Sequence, residues 1–275
     1  MREIFNITVP WIEEILPFRT RQVNCLLCGK RNIIPLNTFV LNGKRFYTTR
    51  CLSDGMMWLD PQPTKEFYQR LYTEHYHLGE PDDPLLEQAT LDVHSDEEKR
   101  REIAILRLNE IEKFVKTGHL LEVGFGSGHV LMEAKARNWD VFGVELAPSC
   151  VNAVKAKGIS AMCIDFPIYK QKHNSFDVIA MYSVIEHVHE PIQYLQNAYK
   201  LLRRNGVFVL RLPNTQDEGP PASLIAHLYH FNKATISELL KRCGFKILEI
   251  GSWALWRPKK YPGELWSMTI FNQKT

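Results

Sequence analysis

Three glycines at alternate positions, Gly124, Gly126 and Gly128, carry the clearest chemical signal in this sequence of 275 residues. They follow an apolar run at 119–123 that predicts a buried strand, and they precede apolar residues with helical spacing at 128–137. A strand that turns through glycines into a helix brings backbone N–H groups and the helix N-terminus close to a ligand. The turn therefore predicts a binding site for a nucleoside-type ligand.

Carboxylates end the next two predicted strands. Glu145 lies 19 residues after Gly126, which is the usual distance for a carboxylate that binds a ribose diol. Asp165 follows the next strand and offers a hydrogen-bond acceptor beside the ring of Phe166. Because ligands of open parallel sheets bind outside the carboxyl ends of the strands, these side chains are expected to surround the glycine turn.

The spacing of the glycines argues against a dinucleotide as the ligand. A dinucleotide fingerprint has the order Gly-x-Gly-x-x-Gly, and its third glycine would fall at position 129. That position is His129, and the third glycine comes one residue earlier. An NAD-dependent oxidoreductase is therefore an alternative that this spacing disfavours.

The elements that must position these residues alternate between strand and helix. Repeated alternation predicts an α/β fold with a doubly wound, mainly parallel sheet covered on both faces. The tail breaks the alternation and predicts an antiparallel unit at the sheet edge. Strands are predicted at 119–123, 140–145, 159–164, 176–181, 206–212, 245–251 and 265–272, and helices at about 128–137, 148–157, 191–204 and 233–242.

Two short cysteine segments precede this alternation. Cys25 and Cys28 lie in a Cys-x-x-Cys-Gly knuckle, and Cys51 and Asp54 lie in a second knuckle of the same length. Two such knuckles joined by β-type sequence are typical of a small zinc ribbon, although Asp54 stands where the fourth cysteine is expected. The alternatives are a structural zinc bound by three cysteines and one aspartate, or a ribbon held together by packing alone.

The chain divides into three predicted parts. Residues 1–63 form an N-terminal segment with the zinc-ribbon-like subdomain, and residues 64–118 form a helical linker or lid. The linker includes an amphipathic helix at 97–116. Residues 119–275 form a Rossmann-like domain that contains the glycine turn.

Together these motifs resemble those of class I S-adenosylmethionine-dependent methyltransferases. The resemblance covers about 119–250 and is closest to the small-molecule branch that includes ubiquinone-pathway enzymes. The missing fourth cysteine of the ribbon is the clearest departure. The matching segments are Leu121-Glu-Val-Gly-Phe-Gly-Ser-Gly, Gly143-Val-Glu145, Asp165-Phe166, Phe176-Asp-Val-Ile and Ser183-Val-Ile-Glu-His-Val-His-Glu-Pro.

The resemblance implies that the site binds S-adenosylmethionine. The glycine turn is expected under the methionine part of the cofactor, with Glu122 near its ammonium group. Glu145 is expected at the ribose hydroxyls, and Asp165 at the adenine amino group. The residues expected to bind the cofactor are Glu122, Gly124, Gly126, Gly128, Glu145, Leu146, Asp165, Phe166, Tyr182 and Ser183.

The sequence predicts the residues that act on the methyl acceptor less clearly than those that bind the donor. Methyl transfer from a sulfonium depends mainly on positioning, but a hydroxyl or amine acceptor also needs a base. The predicted catalytic residues are His187 and His230, with Glu186 and Tyr182 as further candidates. Glu186 and His187 could instead ligate a divalent ion, and His187 could have only a packing role.

Composition limits the partners. The net charge is +3, which gives no electrostatic reason to expect nucleic acid. No apolar run reaches the ~18 residues of a membrane span, and no signal peptide is recognisable, so a cytoplasmic protein without membrane contact is expected. Cysteines in that compartment are free or bind metal. Of these, Cys150, Cys163 and Cys243 are predicted to be buried.

The expected partner is a small-molecule acceptor, such as a sugar, a polysaccharide precursor or a secondary metabolite. Aromatic residues could line a pocket for it or could belong to the core. A methyltransferase-like binding or scaffold protein without turnover is the other alternative. The aromatic candidates are Tyr72, Tyr76, Trp253, Trp256, Tyr261 and Trp266.

Overall fold

An N-terminal β-ribbon comes first in the computed structural model, which describes residues 5–7, 19–75, 97–215, 227–252 and 267–274. Its strands β3, β4 and β5 form an antiparallel meander, β1 pairs in parallel with β3, and β2 pairs with β6. The bounds are β1 Phe5–Ile7, β2 Thr20–Arg21, β3 Ile33–Leu41, β4 Lys44–Cys51, β5 Met57–Asp60 and β6 Gln62–Pro63.

Two helices connect the ribbon to the central sheet. The first, α1, covers Lys65–Arg70 and continues into a π-helical turn at Leu71–His75. The second, α2, covers Glu97–Ile111 and therefore ends five residues before the predicted end of the amphipathic helix. Its buried positions Ala104 and Leu108 pack into the core beneath the central sheet.

The central sheet has seven strands in the order β13–β14–β11–β10–β7–β8–β9. The strands from β7 to β11 are parallel, and β14 is antiparallel to both of its neighbours. The predicted α/β class with an antiparallel edge unit is confirmed. The strands are β7 His119–Val123, β8 Asp140–Glu145, β9 Ser160–Cys163, β10 Phe176–Tyr182, β11 Leu202–Pro213, β12 Tyr229–His230, β13 Phe245–Ser252 and β14 Ser267–Lys274, and the helices are α3 His129–Ala136, α4 Pro148–Ala156, α5 Pro191–Leu201 and α6 Lys233–Arg242.

Burial on both faces explains the composition of the middle strands. In β10 the run from Val178 to Met181 is fully buried, which is typical of a parallel strand covered by helices on both sides. From β7 the chain proceeds to β8 on one side, whereas β10 lies on the other side. The loops at the carboxyl ends of these strands therefore diverge and leave a cleft, as expected at a switch point.

The ribbon is joined to the region after β11 by strand β12. Tyr229 and His230 pair antiparallel with Trp58 and Met57 of β5. The carbonyl of Leu228 accepts hydrogen bonds from the Leu59 amide at 3.0 Å and the Gln62 side chain at 3.2 Å. These bonds fix the ribbon, and with it α1, beside the cleft.

The predicted burial of three cysteines is wrong for Cys163, which is exposed, and Cys150 and Cys243 are only half-buried. Cys163 ends β9, the last strand of the sheet as described, so no strand covers its outer side. Among the described helices, none is long and apolar enough to cross a membrane.

Candidate active site

A cavity of about 250 Å³ opens at the carboxyl ends of β7, β8 and β10. The structure brings nine of the ten predicted cofactor residues to its wall. The tenth, Gly128, lies outside the lining and caps α3. The nine lining residues are Glu122, Gly124, Gly126, Glu145, Leu146, Asp165, Phe166, Tyr182 and Ser183.

The glycine turn has a left-handed backbone at all three glycines, with φ of +69°, +51° and +73°. A Cβ at Gly124 would lie 2.5 Å from Val184, and a Cβ at Gly128 would lie 2.4 Å from Val154. A Cβ at Gly126 would meet no described atom within 4 Å, because this residue faces the cavity. Close packing therefore requires glycine at positions 124 and 128. At Gly126 the absence of a side chain leaves the backbone open to the cavity.

Glu145 holds the turn in place from the end of β8. Its carboxylate accepts hydrogen bonds from the backbone N–H groups of Gly126 at 3.0 Å, Leu146 at 2.6 Å and Ala147 at 3.2 Å. These three N–H donors hold the carboxylate in one position. It is therefore a fixed hydrogen-bond acceptor on the cavity wall.

Asp165 is engaged by two side chains that the sequence did not associate with it. Its carboxylate accepts a hydrogen bond from the Tyr194 hydroxyl at 2.6 Å and forms an ion pair with Lys65 at 2.8 Å. Lys65 belongs to α1, so the segment after the ribbon reaches over this end of the cavity. Phe166, beside Asp165, is buried against the ring of Tyr194.

Glu122 and Arg107 lie together at the other end of the cavity. Burial raises the pKa of the Glu122 carboxyl to about 8, although the positive charge of Arg107 opposes the shift. One oxygen of Glu122 has no hydrogen-bond partner among the described residues. The Arg107 guanidinium lies 4.2 Å from the centre of the Tyr182 ring, a cation–π contact. Arg107 lies on α2, within the predicted linker or lid, and no local pattern marks it as a site residue.

His187 forms part of the remaining wall and belongs to a cluster with His227 and His230. His187 lines the cavity, and its Nδ1 lies 2.8 Å from the hydroxyl of Tyr72. Its Nε2 lies 3.8 Å from a carboxylate oxygen of buried Glu186, and its ring is 4.6 Å from that of His227. Burial raises the pKa of Glu186 to about 8 and lowers the pKa of His227 well below its usual value.

His230 lies behind this wall rather than on it. Its ring is 6.2 Å from that of His227, and it is not among the residues that line the cavity. Burial lowers the pKa of His230 to about 3, so its imidazole is neutral. The two predicted catalytic histidines thus belong to one cluster, in which His187 is the one that reaches the cavity.

The four predicted metal ligands of the ribbon come together in space. The ligand atoms of Cys25, Cys28, Cys51 and Asp54 all lie within 4.8 Å of one another. The Cys28 and Cys51 sulfurs are 3.6 Å apart, and the Cys25 sulfur is 3.2 Å from the Asp54 carboxylate. Ligands at about 2.3 Å from a tetrahedral zinc are about 3.8 Å apart, so this donor set fits the ion.

Of the predicted acceptor-pocket aromatics, Tyr72 lines the cavity. The others lie outside the described residues. They are Tyr76, Trp253, Trp256, Tyr261 and Trp266.

Comparisons with known proteins agree with this geometry. Residues 96–250 match the family model described as a methyltransferase domain. A ubiquinone biosynthesis O-methyltransferase from Coxiella burnetii is 27% identical over 136 residues, which cover 46% of this chain. An S-adenosylmethionine-dependent methyltransferase from Mycolicibacterium smegmatis is 27% identical over 143 residues, 46% of this chain and 52% of that protein. The chain spans 58% of the length of the Coxiella relative.

Among solved structures, a Burkholderia thailandensis 1,6-didemethyltoxoflavin-N1-methyltransferase superimposes with a TM-score of 0.54 and 19% identity. The superposition covers 69% of this chain and 86% of that one, whose structure contains 1,6-didemethyltoxoflavin and S-adenosylhomocysteine. At this identity the likeness concerns the fold.

Proposed function

The chain belongs to the methyltransferase domain family, and on that premise we propose that it transfers a methyl group from S-adenosylmethionine to a hydroxyl group of a small molecule. The observation that carries the proposal is the cavity at the switch point, which combines the glycine turn with Glu145 and Asp165. The donor supplies an electrophilic methyl group on a sulfonium. The protein then has to align donor and acceptor and to assist loss of the acceptor proton.

The nucleoside half of the donor fits the fixed acceptors of the cavity. We infer that the Glu145 carboxylate binds both ribose hydroxyls, for which it is held by three backbone N–H groups. Asp165 would accept from the adenine amino group, which can replace the Lys65 ammonium as its donor. Phe166 and Leu146 would contact the flat faces of the nucleoside.

The methionine half of the donor fits the Glu122–Arg107 pair at the other end. Its ammonium group complements Glu122, and its carboxylate complements Arg107. Glu122 lies on β7, which ends at the glycine turn, and Arg107 lies on α2, which packs against the helix after the turn. This arrangement supports a zwitterionic amino-acid tail, because an ordinary nucleotide would present only negative charge there.

A pH dependence follows from Glu122, whose pKa in the free protein is about 8. An ammonium group beside the carboxylate favours its ionised form and lowers this pKa, so binding at pH 7 releases a proton. We expect the affinity for S-adenosylhomocysteine to rise with pH by up to about tenfold per unit between pH 6.5 and 8, and then to level off. Calorimetry in two buffers of different ionisation enthalpy counts the released proton.

Glu122→Gln is the matched control for this dependence. It keeps the shape of the side chain but cannot ionise, so the released proton and the rise in affinity should both disappear. An unchanged proton count in Glu122→Gln would assign the linkage to another group and remove Glu122 from the ammonium site.

The acceptor side is proposed to lie at His187, which lines the cavity beside Tyr72 and Ser183. A histidine in this place can act on an acceptor hydroxyl directly or through a bound cation. His230 is neutral and set back from the cavity, so we propose for it a supporting rather than a contacting role.

We also propose that the ribbon binds a structural zinc through Cys25, Cys28, Cys51 and Asp54. A closed four-ligand site would stabilise the ribbon and, through β5 and β12, the position of α1 over the cavity. We expect Cys51→Ser to lose one equivalent of zinc, measured by mass spectrometry of the metal in purified protein. Cys243→Ser, at a half-buried cysteine far from the knuckles in sequence, should keep it. Equal zinc content in both variants would contradict zinc binding by the ribbon and favour a ribbon that is held together by packing alone.

A transfer assay tests the proposed function. Methyl-labelled S-adenosylmethionine is incubated with the protein and a panel of phenols, catechols, sugars and hydroxylated metabolites, and label is followed into product. Transfer to at least one hydroxyl acceptor is the expected result. Donor binding without transfer to any member of the panel would favour the scaffold alternative, and label on nitrogen alone would contradict the choice of a hydroxyl.

A further inference from the structure

Behind the part of the cavity wall that contains His187, two segments far apart in sequence come together. Glu186 and His187 lie in the loop after β10, and His227 lies two residues before β12. One ligand atom from each residue lies within 4.8 Å of the other two. The carbonyl of Glu186 accepts hydrogen bonds from the amides of Leu228 at 2.8 Å and Tyr229 at 3.1 Å, so the backbone holds the two segments together.

We propose that Glu186, His187 and His227 bind one divalent transition-metal ion, and that the acceptor hydroxyl coordinates to this ion. Coordination of the acceptor hydroxyl rests on the proposed methyl transfer, whereas metal binding is inferred from these three residues alone.

The buried carboxylate of Glu186 is the first argument for an ion. Its side chain is almost inaccessible to solvent, and neither of its oxygens has a hydrogen-bond partner among the described residues. The positive charge of Arg211 opposes the effect of burial on the pKa of this carboxyl group. Leaving a buried carboxyl group without partners is costly, and coordination to a cation removes that cost.

The orientation of His187 is the second argument. Its Nδ1 is hydrogen-bonded to the Tyr72 hydroxyl at 2.8 Å, and its Nε2 is the nitrogen on the side of Glu186, at 3.8 Å. Metal-bound histidines regularly have such an outer hydrogen bond, which fixes the ring and the tautomer. Ligands about 2.1 Å from one ion lie about 3 to 4 Å apart, so small side-chain movements complete the site.

The donor set selects the class of ion. Two imidazoles and one carboxylate suit Zn²⁺, Fe²⁺, Co²⁺ or Mn²⁺, whereas Mg²⁺ and Ca²⁺ prefer oxygen ligands. Three protein ligands leave coordination positions open. Because His187 lines the cavity and His227 and Glu186 lie behind it, those positions face the acceptor.

Methyl transfer to a hydroxyl bound at this ion needs no reagent besides S-adenosylmethionine and water. A hydroxyl bound to a divalent ion has a lowered pKa and gives up its proton to water. The resulting oxyanion forms a bond to the methyl carbon while the carbon–sulfur bond breaks and its electron pair goes to sulfur. S-Adenosylhomocysteine leaves as a neutral thioether, and no group is oxidised or reduced.

Cobalt titration of chelator-treated, full-length protein tests the site. Thiolate-bound Co²⁺ absorbs strongly in the near ultraviolet, whereas Co²⁺ bound by histidine and carboxylate shows only weak visible bands. We expect one equivalent of Co²⁺ without thiolate absorption, and we expect Glu186→Gln and His227→Asn each to weaken its binding more than tenfold. Cys51→Ser should affect only the thiolate-bound equivalent, and His173→Asn, at an exposed histidine, should change neither.

S-Adenosylhomocysteine binding is measured on the same samples, which shows that each variant is folded. A thiolate-free equivalent that persists in both Glu186→Gln and His227→Asn overturns the proposal, as does its absence from wild-type protein that binds S-adenosylhomocysteine. If the wild-type protein binds Co²⁺ as expected but not S-adenosylhomocysteine, the metal site stands and the proposed methyl transfer fails.

Discussion

Glu145→Ala is expected to weaken S-adenosylhomocysteine binding about 100-fold. In the proposed complex the carboxylate accepts two hydrogen bonds from the ribose diol, each worth about 1.5 kcal/mol when the acceptor is ionised. Their sum of about 3 kcal/mol corresponds to roughly two orders of magnitude in affinity. The substitution also removes the acceptor of three backbone N–H groups, including that of Gly126, so the turn itself loses support.

Calorimetry or equilibrium dialysis measures this loss, with Glu249→Ala as the control because Glu249 is an exposed acid on β13. The control variant should bind the ligand as wild type does. Glu145→Gln separates the two roles of Glu145: it keeps one acceptor oxygen for the turn but binds the diol less well. Affinity within threefold of wild type in Glu145→Ala would exclude this carboxylate from the ribose site.

Gly128→Ala is expected to lower the free energy of unfolding by about 3 kcal/mol. The residue has φ of +73°, a conformation that costs an L-residue about 1 to 2 kcal/mol. In addition, the new Cβ would lie 2.4 Å from Val154 of α4, and such overpacking costs about 1 to 3 kcal/mol. Because α3 begins at this point, the strain cannot be relieved without moving the glycine turn.

The matched control is Gly43→Ala in the turn between β3 and β4. Gly43 has nearly the same φ, +74°, but no described atom within 4 Å of a new Cβ, so only the backbone cost of about 1 to 2 kcal/mol applies. Urea denaturation of wild type and both variants gives the comparison. Equal destabilisation of the two variants would mean that contact with Val154 contributes nothing.

The sequence predicts the parallel part of the fold well because each element there depends on local patterns. Buried strands are recognisable as apolar runs, and the helix after β7 begins after Gly128 whereas the helix after β8 begins at Pro148. The position of β14 between β11 and β13 agrees with the predicted antiparallel unit, although its exact place in the order is set by tertiary packing. Strand β12 has two residues and no pattern of its own, so its pairing with β5 could not be foreseen.

The candidate site likewise contains residues that local patterns predict and residues that only the tertiary fold brings to the cavity. The glycines, Glu145 and Asp165 follow strands at fixed spacings, and the structure gathers them around one cavity. Arg107 and Lys65 reach the same cavity from α2 and α1, which precede the sheet. Nothing in their local sequence distinguishes them from the solvent-facing basic residues that amphipathic helices normally carry.

His227 illustrates the same limit on the acceptor side. Its relation to Glu186 and His187 depends on two backbone hydrogen bonds between segments about forty residues apart, which no local pattern records. Only the adjacency of Glu186 and His187 was visible in the sequence, and two neighbouring residues alone do not define a metal site.

Calorimetric titration of the wild-type protein with S-adenosylhomocysteine and, separately, with NAD tests the central claim most directly. The arrangement of the glycine turn, Glu145 and the Glu122–Arg107 pair predicts one S-adenosylhomocysteine site per chain with a Kd of about 10 µM or tighter, and no measurable heat with NAD. Tight binding of NAD without binding of S-adenosylhomocysteine would contradict the account.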